Sequence, residues 1–217
     1  MHIFFLDGVR CVGKTSAMKA LQIKLGGERH AQMCFSDYTE MSRNFPTLVA
    51  NKHLSFQKRL AYPMLQQNYQ YKFIEECETK YAIIDRTVGS GFIYDYLFDR
   101  HGQSYAITSH SCRSDQTFGI MQEVVAEQLR CMDAYLKLLK ITWNLFVFTD
   151  SSSSLMDRTM RRNNPIDCNF GLTYHASQHV LFNETYRDIM SEFRQVQVID
   201  LKGRFVTEAI EEGMCNI

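Results

Sequence analysis

Ile3-Phe4-Phe5-Leu6-Asp7-Gly8-Val9-Arg10-Cys11-Val12-Gly13-Lys14-Thr15-Ser16 is the stretch on which the fold turns. An apolar run of strand length, Ile3 to Leu6, leads into Gly8-x4-Gly13-Lys14-Thr15, and a helical pattern then runs from Lys14 to Leu25. A loop of this spacing between strand and helix is where backbone N–H groups can close around phosphate oxygens. The glycines allow close approach, the helix N-terminus adds a positive dipole end, and a lysine and a hydroxyl follow where phosphate and Mg²⁺ need them. Gly8, Val9, Arg10, Cys11, Val12, Gly13, Lys14, Thr15 and Ser16 are therefore the expected ATP-binding residues, with Lys14 neutralising charge and Thr15 reaching Mg²⁺.

Working outward, short apolar stretches recur at Gln32 to Phe35, Tyr81 to Ile84, Trp143 to Phe148 and Val196 to Leu201. Strands separated by helices imply right-handed crossovers, so the expected fold is α/β: a five-stranded parallel sheet with helices on both faces. Helices are expected at Lys14 to Leu25, at Leu54 to Cys77 with a break at Pro63, and at Gly119 to Leu139. In the last, Ile120, Val124, Leu129, Met132, Leu136 and Leu139 fall near a 3.6 period, an ordinary core-facing stripe. Ser151 to Ser154 reads as a loop and N-cap ahead of a further helix. No repeat or linker interrupts the chain, and residues 1–217 are expected to form one domain.

Composition narrows the partners. Lys plus Arg equals Asp plus Glu at 24 each, so no basic field supports nucleic-acid binding. No segment approaches the length of a membrane span and no signal sequence is evident, which points to a cytoplasmic protein. Seven widely spaced cysteines without a Cys-x-x-Cys pair indicate neither a disulfide framework nor a zinc ribbon. His175 and His179 stand four apart but lack the glutamate of a His-Glu-x-x-His site and an evident third ligand.

Two further clusters carry chemistry. Tyr81-Ala82-Ile83-Ile84-Asp85-Arg86 is a buried-type strand delivering a carboxylate and a guanidinium to the sheet edge where ligands bind in such folds. Asp85 could hold Mg²⁺ or the acceptor; Arg86 could grip a phosphate or the reacting hydroxyl. After the fourth strand, Asp157-Arg158-Thr159-Met160-Arg161-Arg162 places arginines along a helix that could close over ATP, stabilising charge on the transferring group. A strand-end ion pair and a solvated basic face are the plainer readings of these clusters.

With the three clusters in this order, the chain resembles the deoxynucleoside kinase and thymidylate kinase superfamily, notably the herpesvirus-type thymidine kinases and the cellular deoxynucleoside kinases. Phe5-Leu6-Asp7-Gly8 is similar to the lead-in of viral thymidine kinases. Asp85-Arg86-Thr87-Val88-Gly89-Ser90 resembles the Glu-Arg-Ser segment of the cellular enzymes and the Asp-Arg segment of thymidylate kinases. Arg158, Arg161 and Arg162 match the arginine-rich lid, and Leu181 to Tyr186 sits where the family has its post-lid helix. Zinc-containing thymidine kinases are not matched. The resemblance implies a catalytic base at the end of the second strand, usually in Glu-Pro; here the segment is Phe35-Ser36-Asp37-Tyr38-Thr39-Glu40, with Asp37 the choice and Glu40 the reserve. Phe56-Gln57 resembles the Phe-Gln whose amide reads the base edge, while Gly91 stands where the cellular enzymes have a carboxylate, so base specificity does not carry over.

The expected activity is ATP-dependent phosphorylation of a (deoxy)nucleoside 5′-hydroxyl, with Lys14, Asp37, Asp85, Arg86, Arg158, Arg161 and Arg162 catalytic. Asp37, Glu40, Gln57 and Arg86 would bind substrate, and Thr15 and Asp85 the Mg²⁺. The partners are ATP and a nucleoside or nucleotide, with a homodimer left open. A thymidylate kinase-like monophosphate kinase is the first alternative, favoured by Ser90-Gly91 and Tyr94. A degenerate nucleotide-binding protein without turnover is the second.

Overall fold

β1 (His2–Gly8) lies at the centre of the sheet, paired in parallel with β3 (Tyr81–Asp85) on one side and β4 (Thr142–Thr149) on the other. β2 (Ala31–Phe35) flanks β3 and β5 (Val196–Asp200) flanks β4, giving the order β2-β3-β1-β4-β5 with every pairing parallel. A strand covered on both faces has no polar side to show, which is why Ile3, Phe4, Phe5 and Leu6 are buried in succession rather than alternately. The computed structural model describes residues 1–36, 56–101, 106–163 and 171–214, and their side chains except those of 56–62, 99, 101 and 211–214.

Helices α1 (Lys14–Lys24), α2 (Phe56–Glu76), α3 (Val88–His101), α4 (Ser109–Ser114), α5 (Gln116–Leu138), α6 (Ser152–Arg162), α7 (Leu172–Glu192) and α8 (Val206–Met214) flank this sheet. α1 packs on β1, β2 and β3 and against α8, whereas α5 and α7 rest on β4, α7 also on β5, and α3 packs between α2, α5 and α7. One continuous apolar cluster joins these layers. No helix among the described residues is long and apolar enough to cross a membrane.

Two local expectations meet different fates. Ser151 caps α6, its side chain accepting from the Ser154 N–H, as its position ahead of a helical pattern suggested. Pro63 does not break α2, which runs through it from Phe56 to Glu76. The Pro63 ring lies 3.5 Å from where a Cβ on Gly91 of α3 would stand, so packing between the helices offsets the lost N–H bond.

Because all strands are parallel, their C-terminal ends share one edge, where the Gly8–Gly13 loop, Ser36, Arg86-Thr87, Asp150 and the Leu201–Arg204 turn gather. The loop leaves β1 under tight constraint: Gly8 has φ 128°, and a Cβ there would lie 2.0 Å from the Phe148 carbonyl oxygen, which accepts the Val9 N–H at 3.0 Å. Gly8→Ala must break this junction and is expected to cost about 3 kcal/mol or more in urea unfolding. Gly27 is also left-handed but has nothing within 4 Å of its missing Cβ, so Gly27→Ala should cost only about 1 kcal/mol.

Candidate active site

Left-handed residues at Gly8, Cys11 and Gly13 curl the loop between β1 and α1. Gly13 is the N-cap of α1 and makes no side-chain cap bond, so the first-turn N–H groups and the positive dipole end meet no competing side-chain acceptor. Thr15 and Ser16 are exposed in that first turn. Lys14 is buried instead, its Nζ donating to the carbonyls of Gly8 at 3.1 Å and Val9 at 2.9 Å. Burial, with the nearby Arg86 charge, pushes the Lys14 ammonium down to about 7, although Asp85, Asp7 and Cys11 oppose the shift.

Beneath the loop, the carboxylate of Asp7 is 0% exposed. Its Oδ1 accepts the Gly8 N–H at 2.7 Å; its Oδ2 accepts the Thr87 N–H at 3.2 Å, the Thr87 hydroxyl at 2.7 Å and the Tyr186 hydroxyl at 3.2 Å. In the sequence Asp7 reads only as part of the loop's lead-in; its role stays hidden because, beyond the adjacent Gly8, its partners lie 80 and 179 residues away.

Asp85 ends β3, buried, and Arg86 follows with φ 68°. The left-handed turn is held from both sides: the Arg86 N–H donates to Leu6 O at 2.8 Å, and Arg86 O accepts from Gln70 Nε2 at 3.0 Å. The guanidinium sits 5.0 Å from the Tyr94 ring centroid, a cation–π arrangement. Burial works against its charge, but Tyr94, Asp85 and Asp7 outweigh this and hold it protonated.

Ser36, where the chain leaves β2, donates to Asp85 O at 2.6 Å and accepts from Gln70 Nε2 at 2.7 Å and Gln66 Nε2 at 3.4 Å. The polar run Gln66 to Gln70 in α2 thus ties the β2 and β3 ends together. Asp37 and Glu40 lie outside the described residues, as does the side chain of Gln57, whose backbone belongs to α2.

The three arginines of α6 are placed differently from one another. Arg158 Nη2 pairs with the fully buried Asp150 carboxylate at 2.8 Å and donates to Arg204 O at 2.7 Å, while Nη1 donates to Val12 O at 3.0 Å. It therefore braces the second half of the phosphate loop against the ends of β4 and β5. Asp150 also accepts the Ser151 and Gly203 N–H groups, at 2.8 and 2.9 Å. Arg161 and Arg162 are exposed in the last turn of α6. His175 meets Thr159 on α6 rather than His179, and no cluster of three metal-ligating side chains occurs among the described residues.

No protein-family profile and no curated protein sequence matches the chain. Solved structures do. A deoxyadenosine kinase from M. mycoides with bound dATP superposes with a TM-score of 0.59 at 17% identity, over 100% of this chain and 98% of its own. The same kind of enzyme from that organism with bound dCTP gives 0.57 at 16% identity, over 100% of each chain. The chain has the fold of these kinases.

Two predictions come from the charges. Between the lowered Lys14 value of about 7 and the ordinary 10.5, the unfolded chain binds more protons than the folded one, so the cost of burying the ammonium is full below 7 and fades as pH rises. Lys14→Met has no such cost: its stability relative to wild type, from urea midpoints, should be greatest near pH 6.5 and decline toward pH 10. A pH-independent gap would show that Lys14 is not depressed. Arg158→Ala strands the Asp150 carboxylate and should cost about 3 kcal/mol, the lower end for one partner of a buried pair because Arg158 remains 23% exposed. Arg158→Lys, unable to span three acceptors, should recover only part of this in the same unfolding measurement.

Proposed function

We propose that this chain, as one kinase domain over residues 1–217, transfers the γ-phosphoryl group of Mg²⁺-ATP to the 5′-hydroxyl of a (deoxy)nucleoside, in the manner of a thymidine kinase. The observation that carries the reading is the meeting, at one sheet edge, of the Gly8–Thr15 loop with the Asp85-Arg86 turn, the Asp7 carboxylate joining Gly8 to Thr87, the residue after Arg86. The neighbours of the same fold, with dATP and dCTP bound, support a deoxynucleoside as the acceptor.

The donor set fits Mg²⁺. An exposed Thr15 hydroxyl and a strand-end Asp85 carboxylate are too few ligands for a dedicated cage, and suit an ion that takes its remaining oxygens from phosphate and water. When bound there, Mg²⁺ would neutralise charge on the phosphates. The first-turn N–H groups of α1 would bind phosphate oxygens, and Lys14 would exchange the Gly8 and Val9 carbonyls for them. Arg86, held protonated, would orient the acceptor oxygen or the transferring group. Arg161 and Arg162 would add charge from α6, Asp37 or in its place Glu40 would accept the hydroxyl proton, and Gln57 would read the base edge.

One observation favours the second reading, a nucleoside monophosphate as acceptor. Arg86 lies over the Tyr94 ring and the Arg10 charge reaches the same phenol, so two guanidiniums would be at hand for a second phosphate. Against this, Phe35 to Met41 carries no cation. A radiolabelled-ATP assay over nucleosides and monophosphates separates the two. Thymidine or another deoxynucleoside should show a higher kcat/KM than its 5′-monophosphate, and Asp37→Asn should lower kcat by about 10²-fold or more. Faster turnover of dTMP than of every nucleoside would promote the second reading; a silent Asp37→Asn beside an impaired Glu40→Gln would move the base to Glu40.

A further inference from the structure

Helix α7 carries a buried stripe that phosphoryl transfer, as described so far, does not use. His175, Gln178, Phe182 and Tyr186 fall on one side of the helix at spacings of three and four, and all are fully buried. At one end His175 Nε2 lies 3.3 Å from Thr159 Oγ1 on α6; at the other Tyr186 donates to Asp7. Between them, Gln178 Oε1 accepts the backbone N–H of Arg10 at 2.8 Å and the Tyr94 hydroxyl at 3.2 Å.

The sense of this carboxamide is fixed, because an amide N–H such as that of Arg10 requires an oxygen opposite it. Nε2 then points away and has no hydrogen-bond partner among the described residues. Apolar packing does not account for such a group, since a leucine would fill a similar volume without burying an unpaired donor. What distinguishes glutamine here is what its oxygen holds. The Arg10 N–H belongs to the first half of the phosphate loop, and Tyr94 carries the ring beside Arg86 while its hydroxyl also approaches Gly8 O at 3.4 Å.

We propose that Gln178 is a positioning residue for nucleotide binding, setting the Val9–Cys11 arm of the phosphate loop through the Arg10 N–H and the Arg86 platform through the Tyr94 hydroxyl. α6, the loop and the Asp7 tie are thereby linked through one helix. The inference rests on the ATP-binding reading of the loop and is independent of which acceptor is phosphorylated.

The test is Mg²⁺-ATP affinity by titration calorimetry without any acceptor, alongside the thermal midpoint of the nucleotide-free protein. Gln178→Leu and Gln178→Met keep the bulk but leave the Arg10 N–H without its acceptor, and should weaken ATP by about tenfold while the midpoint falls by only about 2–4 °C. Gln178→Glu keeps an oxygen in place and should bind within about threefold of wild type. Tyr94→Phe combined with Gln178→Leu should be less than additive, since both act through the same contact. Leu and Met variants that bind ATP as wild type does would overturn the proposal, as would a Glu variant as weak as the Leu variant at an equal midpoint. Wild-type protein that fails to bind Mg²⁺-ATP would instead overturn the ATP-binding reading itself.

Discussion

A carboxylate with no exposure to water must recover its hydration from donors, and the donors that Asp7 recruits define where the site is built. They come from the first residue of the phosphate loop, from Thr87 just past β3, and from Tyr186 on α7. Each is fixed in a different part of the chain, so satisfying one charge brings the loop, the Asp85-Arg86 turn and α7 into register. Two charged hydrogen bonds within β1 and β3 would have held only the strands; the Tyr186 hydroxyl adds the helix.

The same economy appears at the other end of the loop. Asp150, also sealed from water, takes the Arg158 guanidinium as its counter-charge, and the remaining guanidinium donors close on Val12 O and Arg204 O. One buried acid thus stands under each half of the phosphate loop. Between them, burial and then the Arg86 charge depress Lys14 against the pull of Asp85 and Asp7, whereas Tyr94 together with the same two acids outweighs burial at Arg86 and keeps it charged. A compact lysine whose ammonium can be neutral costs less to bury than a guanidinium, and its contacts with two backbone carbonyls are ones that phosphate oxygens could take over.

How far the sequence reaches depends on the range of the interaction being read. The inner strands were legible because a parallel strand covered on both faces is a near-continuous apolar run: Tyr81 to Ile84 falls inside Tyr81–Asp85, and Trp143 to Phe148 inside Thr142–Thr149, while the partly exposed edge strands Ala31–Phe35 and Val196–Asp200 still show as short stretches between helices. The phosphate loop was legible because its geometry is local, set by glycines and by the helix that follows. The break at Pro63 was misjudged because local chemistry alone argues for it, whereas the helix is held by packing on Gly91.

By itself, then, the sequence determined the α/β class, the strand ends that bear Asp85 and Arg86, and the Gly8–Thr15 loop, all of them consequences of neighbouring residues. Only the tertiary structure decided which buried acids carry the loop, that Arg158 braces it, that Ser36 and Gln70 join β2 to β3, and that Gln178 reaches Arg10 across 168 residues of chain. Such contacts leave no periodicity or spacing to read, because their partners are chosen by the order in which strands pair and helices pack, and a carboxamide or carboxylate in a helix pattern looks the same whether it faces water or a phosphate loop.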